Sequence, residues 1–233
     1  MKLYAIGDLH LQGGKDKPMD VFGLHWEDHP DRIRRAWEGV VESQDWVLLP
    51  GDISWAMRLE EMADDLAYLA ALPGRKVLLR GNHDYWWQSL SKVRQALPEG
   101  VSALQNDYIP LTNNWAVCGT RGWELPNTSG TTAHDYKIYE RELIRLRLSL
   151  DGAKRGGYRH LVAMLHFPPT DGQGTPSGFT TLLEEYGVEI CVYGHLHGAA
   201  QQFALRGVHR GVHYHLVACD ALRFTPLFLT TLD

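Results

Sequence analysis

Short apolar runs that each stop at a cluster of Gly, Asp, Asn or His restrict the fold of this chain more than any other feature. The runs are Leu3 to Ile6, Val47 to Leu49, Val77 to Leu79, Leu161 to Leu165 and Ile190 to Tyr193. Their length and β-branching favour strands, and their unbroken hydrophobicity predicts burial on both faces. The polar clusters then fall at the carboxyl ends of the strands.

Helical patterns separate the runs. Leu59, Met62, Leu66 and Leu69 recur at spacings of three and four and stop at Pro73-Gly74. Ile33, Trp37, Val40 and Val41 form a second stripe, and Tyr139, Leu143, Leu146 and Leu150 a third, which ends near Gly156-Gly157. All three read as core-facing sides of helices. Near the C-terminus Val212, Tyr214, Leu216 and Ala218 alternate with polar residues, the pattern of a half-buried strand. Two packed sheets with helices outside are expected. The 233 residues, 44% hydrophobic and 22% charged, suit one α/β domain spanning 1–233.

The clusters carry the chemistry: Gly7-Asp8-Leu9-His10, Gly51-Asp52-Ile53, Gly81-Asn82-His83-Asp84, Leu165-His166 and Gly194-His195-Leu196-His197. Glycine lets the backbone turn sharply at a strand end, so that the next side chain can point at a shared centre. Residues i and i+2 of an extended segment share a face, so Asp8 with His10, and His195 with His197, can each present two ligands together. Carboxylate, imidazole and amide in one set suit Mn²⁺, Fe²⁺ or Zn²⁺ better than the all-oxygen cage of Ca²⁺. A single Gly-Asp at a strand end is usually a turn. Five such clusters, each following a buried strand, point to a metal site.

In order and wording these clusters resemble the calcineurin-like metallophosphoesterase superfamily, whose pattern is GDxH, GDxx, GNH[DE], a lone His and GHxH. The resemblance runs from Gly7 to His197 with no motif residue missing. It implies a four-layered α/β/β/α sandwich with two packed mixed sheets and flanking helices. It also implies two divalent metal ions, with Mn²⁺ the first choice and Fe²⁺, Zn²⁺ or Mg²⁺ as alternatives. By this similarity Asp8, His10 and His197 would hold the first ion, Asn82, His166 and His195 the second, and Asp52 would bridge both. His83 would protonate the leaving group, with Asp84 placed to orient it. Asp84 stands where many members have Glu, which shortens the reach to the imidazole.

Two cations about 3.5 to 4 Å apart can lower the pKa of a water between them and clamp phosphoryl oxygens for in-line displacement. A bridging carboxylate keeps the cations close, and an acid such as His83 is needed because an alkoxide leaving group is unstable unless protonated. The expected activity is hydrolysis of a small phosphorylated molecule, either a phosphomonoester or a nucleotide-type phosphodiester. The alternatives are a nuclease and a non-catalytic scaffold. A formal net charge of -5 and the lack of a basic stripe weigh against nucleic acid as a partner. A scaffold usually loses a ligand or the acid, and none is lost here.

No apolar run reaches the ~18 residues of a membrane span, and the N-terminal apolar run is too short for a signal peptide. Cys118, Cys191 and Cys219 are far apart with no CxxC pair, as buried free thiols of a reducing compartment would be. A cytoplasmic location follows as the expectation.

Around the motifs, Arg121, Trp123 and Lys137 flank the segment after Cys118-Gly119. Arg121 or Lys137 could bind a substrate phosphate, Arg as a planar fork and Lys as a point charge. Trp55, Trp86 and Trp87 follow two metal motifs and could stack a base or cover an apolar group. Arg141, Arg145, Arg147, Lys154 and Arg155 alternate with acids and read as a solvated helix face. Of the 12 histidines, seven lie outside the motifs. His25 and His29 are the best further ligand candidates among them, and His213 and His215 share a strand face. The loops Leu11 to Pro30 and Gly122 to Ala133 are long enough to set substrate specificity.

Overall fold

The computed structural model of the protein describes residues 1–12, 19–126 and 130–233. One sheet carries β1 (Lys2–Ala5), β2 (Trp46–Leu49), β3 (Arg75–Leu79), β4 (Val101–Leu104) and β11 (Leu227–Thr231), in the order β11-β1-β2-β3-β4. The other carries β5 (Tyr108–Pro110), β6 (Trp115–Thr120), β7 (His160–Leu165), β8 (Ile190–Tyr193), β9 (Gly207–His209) and β10 (Val212–Leu216), in the order β5-β6-β7-β8-β10-β9. Both sheets are mixed. β1 to β4 run parallel with β11 antiparallel at the edge, while β6, β7, β8 and β10 run parallel between antiparallel β5 and β9.

Side chains alternating along each strand build three apolar layers. Leu3 and Ala5 of β1, Leu48 of β2, and Val162 and Met164 of β7 meet between the sheets. Their sequence neighbours Tyr4, Ile6, Val47 and Leu49 face the opposite way, into the layer shared with α1 (His29–Val40), α2 (Ala63–Ala71) and α3 (Leu90–Ala96). Leu161, Ala163 and Leu165 face α4 (Ala133–Arg155) and α5 (Gly178–Glu185). The fold is therefore a four-layered α/β/β/α sandwich, and burial on both faces accounts for the unbroken apolar runs. Each fully buried Leu or Val of these layers contributes roughly 1.5 to 3 kcal/mol of transfer free energy.

The helices start and stop for local reasons. Pro30 sits in the first turn of α1, where its missing N–H costs nothing. Thr132 and Asp135 form a reciprocal capping box at the start of α4, and Lys154 and Arg155 lie in its last turn, against the negative end of the dipole. Ser177 and Thr180 cap α5 in the same way.

Three details differ from the sequence reading. Val40 points outward at 37% exposure, because α1 buries only the side carrying Ile33 and Trp37. The stripe beginning at Leu59 opens as a 3₁₀ turn, Leu59–Met62, before α2 takes over. The segment read as one long loop from Leu11 to Pro30 holds two 3₁₀ turns, Met19–Phe22 and Leu24–Trp26. Its Gly13, Gly14 and Pro18, and residues 127–129 of the second loop, lie outside the described residues. β4, β5, β6, β9 and β11 lie outside the apolar runs, each interrupted by a polar residue, glycine or proline. Among the described residues no helix is long and apolar enough to cross a membrane, and Cys118, Cys191 and Cys219 are buried free thiols.

Candidate metal centre

β1 and β2 are parallel neighbours, with Ala5 opposite Leu48, so the segments that leave them run side by side. Asp8 N–H donates to the Gly51 carbonyl at 2.9 Å and His10 N–H to the Asp52 carbonyl at 3.0 Å. In the other sheet Gly194 N–H donates to the His166 carbonyl at 3.1 Å, and across the sandwich His195 N–H donates to Asp8 Oδ1 at 3.0 Å. Backbone hydrogen bonds thus draw the motif segments into one cluster at the carboxyl ends of both sheets.

The turns are strained in a way that aims the side chains. Asp8, His10, Asp52 and His195 have φ of 54°, 46°, 50° and 72°, a left-handed conformation uncommon outside glycine and often found at functional sites. Two glycines make room for the carboxylates. A Cβ on Gly194 would lie 2.2 Å from Asp8 Oδ2, and one on Gly81 would lie 2.1 Å from Asp52 Oδ1. Any other residue there would push the carboxylate away.

The donor atoms of Asp8, His10 and His197 lie within 4.8 Å of one another, as do those of Asp8, Asp52 and His166. His10 Nε2 and His197 Nε2 are 3.4 Å apart. His10 Nε2 is 3.9 Å from Asp52 Oδ2, and His166 Nε2 is 3.6 Å from the same oxygen. Asn82 Oδ1 lies 2.6 Å from His166 Nε2 and 2.9 Å from His195 Nδ1. All seven expected ligands converge, with Asp52 between the two groups.

The protonation states decide whether a cation fits. Burial, foremost, holds His166 at a pKa of about 3 and His195 at about 3, and it also pulls His10 well below its ordinary value. Neutral His166 faces the Pro50 carbonyl with Nδ1 at 2.9 Å, a contact that places its proton there and leaves a lone pair on Nε2. That lone pair meets the oxygens of Asn82 and Asp52. Acceptors facing acceptors at such distances repel unless a cation lies between them. Asp8 Oδ2 and His10 Nδ1 are buried with no hydrogen-bond partner among the described residues. Burial first, and then the neighbouring carboxylates, holds Asp8 above the usual carboxylate range; Asp52 is raised too, chiefly by burial. Two buried carboxylates this short of donors are costly without positive charge beside them. The residues fit divalent ions.

Above the cluster opens a cavity of about 310 Å³ lined by His10, Trp26, Trp55, His83, His197 and Asp220 among others. His83 packs its ring against Trp55 at 4.8 Å between centroids, and its N–H donates to Asp52 Oδ1 at 2.8 Å. The imidazole of the expected acid thus shares a cavity with two of the expected ligands.

Asp84 acts differently from the expectation that it orients His83. Its Oδ1 accepts from Ile53 N–H at 2.9 Å, Ser54 N–H at 3.3 Å and Trp86 Nε1 at 2.8 Å, and Oδ2 accepts from Gly81 N–H at 2.7 Å. The carboxylate is occupied in tying the Asp52 turn to the Asn82 turn. Trp86 is fully buried beneath it and does not reach the cavity, which removes it from the substrate-contact candidates. Trp87 is buried as well, its indole N–H donating to Gln105 Oε1 at 2.8 Å. Of the three tryptophans only Trp55 lines the cavity, stacked on His10 at 4.9 Å.

The Arg121 guanidinium lies over the Trp123 ring, 4.5 Å from its centroid, and Trp123 Nε1 donates to Asp135 at 3.2 Å. Lys137 is exposed on α4 and lines none of the cavities described here. His25 lines the cavity, while buried His29 uses Nε2 on the carbonyls of Leu9 at 3.1 Å and His10 at 3.3 Å, supporting the ligand turn from behind. Asp220, which carries no motif, lies 3.0 Å from His197 Nδ1. Burial alone would lower His197, but this hydrogen bond and the Asp8 charge raise it above its ordinary value. The available signal was an apolar stretch, Leu216 to Cys219, ending in Asp as the other clusters do.

A family model described as calcineurin-like phosphoesterase matches residues 1–199, most of the chain. The protein belongs to the calcineurin-like phosphoesterase family. This calcineurin-like chain is 26% identical to the Gene 66 protein of Mycobacterium phage D29 over 227 residues, 95% of this chain and 94% of the phage protein. With the Gene 66 protein of Mycobacterium phage L5 it shares 35% identity over 83 residues, spanning 39% of that protein's length. Among solved structures it shares its fold with phosphopantetheinyl hydrolase from Mycobacterium tuberculosis. The TM-score is 0.52 at 16% identity, covering 93% of this chain and 88% of the other. A protein of unknown function from Aquifex aeolicus matches with a TM-score of 0.50 at 15% identity, covering 97% and 95% of the two chains.

Proposed function

We propose that the protein hydrolyses phosphoesters of small molecules, phosphomonoesters or nucleotide-type phosphodiesters, using two divalent ions of which Mn²⁺ is the first choice. The observation that carries this is the meeting of Asn82 Oδ1, His166 Nε2 and Asp52 Oδ2 at 2.6 and 3.6 Å beside a cavity that also holds His83. Asp8, His10 and His197 would hold one ion, Asn82, His166 and His195 the other, and the Asp52 carboxylate would serve both. Bound there, two divalent ions supply a water activated at neutral pH and neutralise the phosphoryl charge.

The chain's own residues supply the rest. His83, at the cavity wall, donates the proton that the departing alkoxide needs. Asp84 holds the His83 and Asp52 turns at a fixed separation. Trp26 and Trp55 give the leaving group an apolar wall and limit the water that reaches it. A cavity of about 310 Å³ suits a small molecule. The partner is accordingly a small phosphorylated substrate, and a reducing cytoplasm is a compartment compatible with three buried thiols.

The test is a panel of aryl phosphates, bis-aryl phosphates, cyclic nucleotides and dinucleoside polyphosphates, assayed with Mn²⁺, Fe²⁺, Zn²⁺ and Mg²⁺ in turn. Turnover of at least one class that is lost with chelator and with Asp52→Asn is expected. A metal-loaded protein inert toward the whole panel overturns the reading in favour of a non-catalytic member of the family.

A further inference from the structure

A second pocket, of about 250 Å³, is lined by four arginines, Arg80, Arg121, Arg141 and Arg145. Leu79, Leu104 and Thr120, also in its wall, are the ends of β3, β4 and β6. The pocket therefore sits at the same carboxyl ends as the ligands. Sheet register makes the adjacency close. Thr120 pairs with Leu165, and the next residue, Arg121, accepts at its carbonyl from the backbone of His166 at 3.0 Å. Arg80 stands two residues before Asn82. After burial and the Pro50 contact, the Arg121 charge is the next influence on the His166 imidazole, which it lowers.

The charge of this pocket is not balanced. Glu142 is its sole carboxylate, so four guanidiniums against one leave three positive charges in a chain whose formal net charge is -5. Glu142 is already committed. It is fully buried, Oε2 accepts from Thr120 Oγ1 at 2.5 Å, and Oε1 pairs with Arg145 at 2.7 Å and Arg141 at 3.6 Å. Arg80 and Arg121 have no ion-pair partner among the described residues, and the Arg80 Nε is buried without any hydrogen-bond partner. The Arg121 guanidinium carbon lies over the Trp123 ring at 4.5 Å from its centroid. A buried, unpaired guanidinium N–H is costly to maintain without an acceptor. A planar fork already held over an aromatic ring loses little entropy when it meets an oxyanion. Of the helix face read from sequence as solvated, Arg141, Arg147, Lys154 and Arg155 are exposed, while Arg141 and half-buried Arg145 also reach Glu142 in the wall of this pocket.

Resting on the phosphoester reading, we infer that Arg80 and Arg121, backed by Arg141 and Arg145, bind a second phosphate on the substrate, distinct from the phosphoryl group that reacts. The substrate class is then a small molecule carrying two phosphates. One lies at the metal ligands and the other in the arginine pocket. The aromatic cavity over His10 and His83 presents few charges and suits the uncharged remainder of the molecule.

The experiment compares α,ω-alkanediol bisphosphates of two to six carbons with the matching alkyl monophosphates, using metal-loaded full-length protein. Wild type is expected to favour one chain length of bisphosphate by about tenfold to a hundredfold in kcat/KM, chiefly through KM, the size of one or two hydrogen bonds to charged groups. Arg80→Gln and Arg121→Gln should each bring that ratio toward one, and Arg121→Lys should keep part of it. A ratio removes any general loss of activity, and thermal melts identify a variant that fails to fold. If the protein turns over neither ester, the phosphoester reading fails, and the same ratio is read from Kd by calorimetry on the inert protein. A ratio near one in wild type, or a ratio unchanged in both Gln variants, overturns the second-phosphate pocket whether or not the chain is an enzyme.

Discussion

Asp220 Oδ1 lies 3.0 Å from Nδ1 of His197, and the ring is thereby turned so that Nε2 faces His10 Nε2 at 3.4 Å and Asp8 Oδ1 at 3.8 Å. A carboxylate behind a ligating histidine fixes its tautomer and raises its basicity. Asp220→Asn should therefore weaken binding of Mn²⁺ by roughly 10- to 100-fold, while the melting temperature of the metal-free protein stays near that of wild type. Calorimetric titration with Mn²⁺ measures this. Unaltered affinity would mean that His197 needs no partner to hold its orientation.

Asp84 makes a second prediction, because its four donors come from the turns of two different strands. Asp84→Asn replaces one acceptor oxygen by an amide that must face an N–H. The expected cost is about 1 to 3 kcal/mol for each buried donor left unpaired, read as a lower urea midpoint, together with loss of bound metal as the Asp52 and Asn82 turns separate. A stable, metal-replete variant with only an altered pH–rate profile would restore the idea that Asp84 acts through the His83 ring.

His83 contributes to the cluster through its backbone N–H on Asp52 rather than through its ring. His83→Ala keeps that N–H. Metal content should match wild type, and turnover should fall by roughly 10² to 10⁴ for esters with poor leaving groups. Esters of acidic phenols, whose anions need no proton, should lose far less. Equal losses across leaving groups would remove His83 from the acid's role.

His215 gives a pH prediction remote from the metal ligands. It sits on β10, half-buried, with its ring 4.0 Å from that of His213. Burial first, and then the His213 charge, lowers its pKa to about 4. Between about pH 6.5 and pH 4 the unfolded chain takes up a proton that the folded chain refuses, so the fold loses stability as pH falls through that window. His215→Leu should lose less stability than wild type between pH 7 and pH 5 in urea unfolding. Parallel losses in the two proteins would show that His215 is protonated freely in the fold.

Much of this protein was legible before any coordinates, because its signals are local. A strand buried on both faces reads as an unbroken apolar run, as Val47 to Leu49 does. A turn that must pass within contact distance of a carboxylate requires glycine, as at Gly81 and Gly194. The ligand identities follow from which side chains stand beside those glycines. What stayed hidden depends on neighbours far away in sequence. Asp84 precedes Trp86 by two residues, and nothing local says that its carboxylate is taken up by the N–H groups of Ile53, Ser54 and Gly81. Trp86 and Trp55 both follow a metal motif, yet one is buried under Asp84 and the other lines the cavity.

The chain alone therefore determined which donors exist, the order of the strands along it, and the family to which they point. Tertiary structure decided which groups meet. Asp220 reaches His197, and Arg80 and Arg121 reach one pocket, because the sheets bring strand ends distant in sequence side by side. The physical reason is that backbone turns and burial patterns are set within a few residues, whereas the direction of a side chain and its charge environment are set by whatever the completed sheets pack against it.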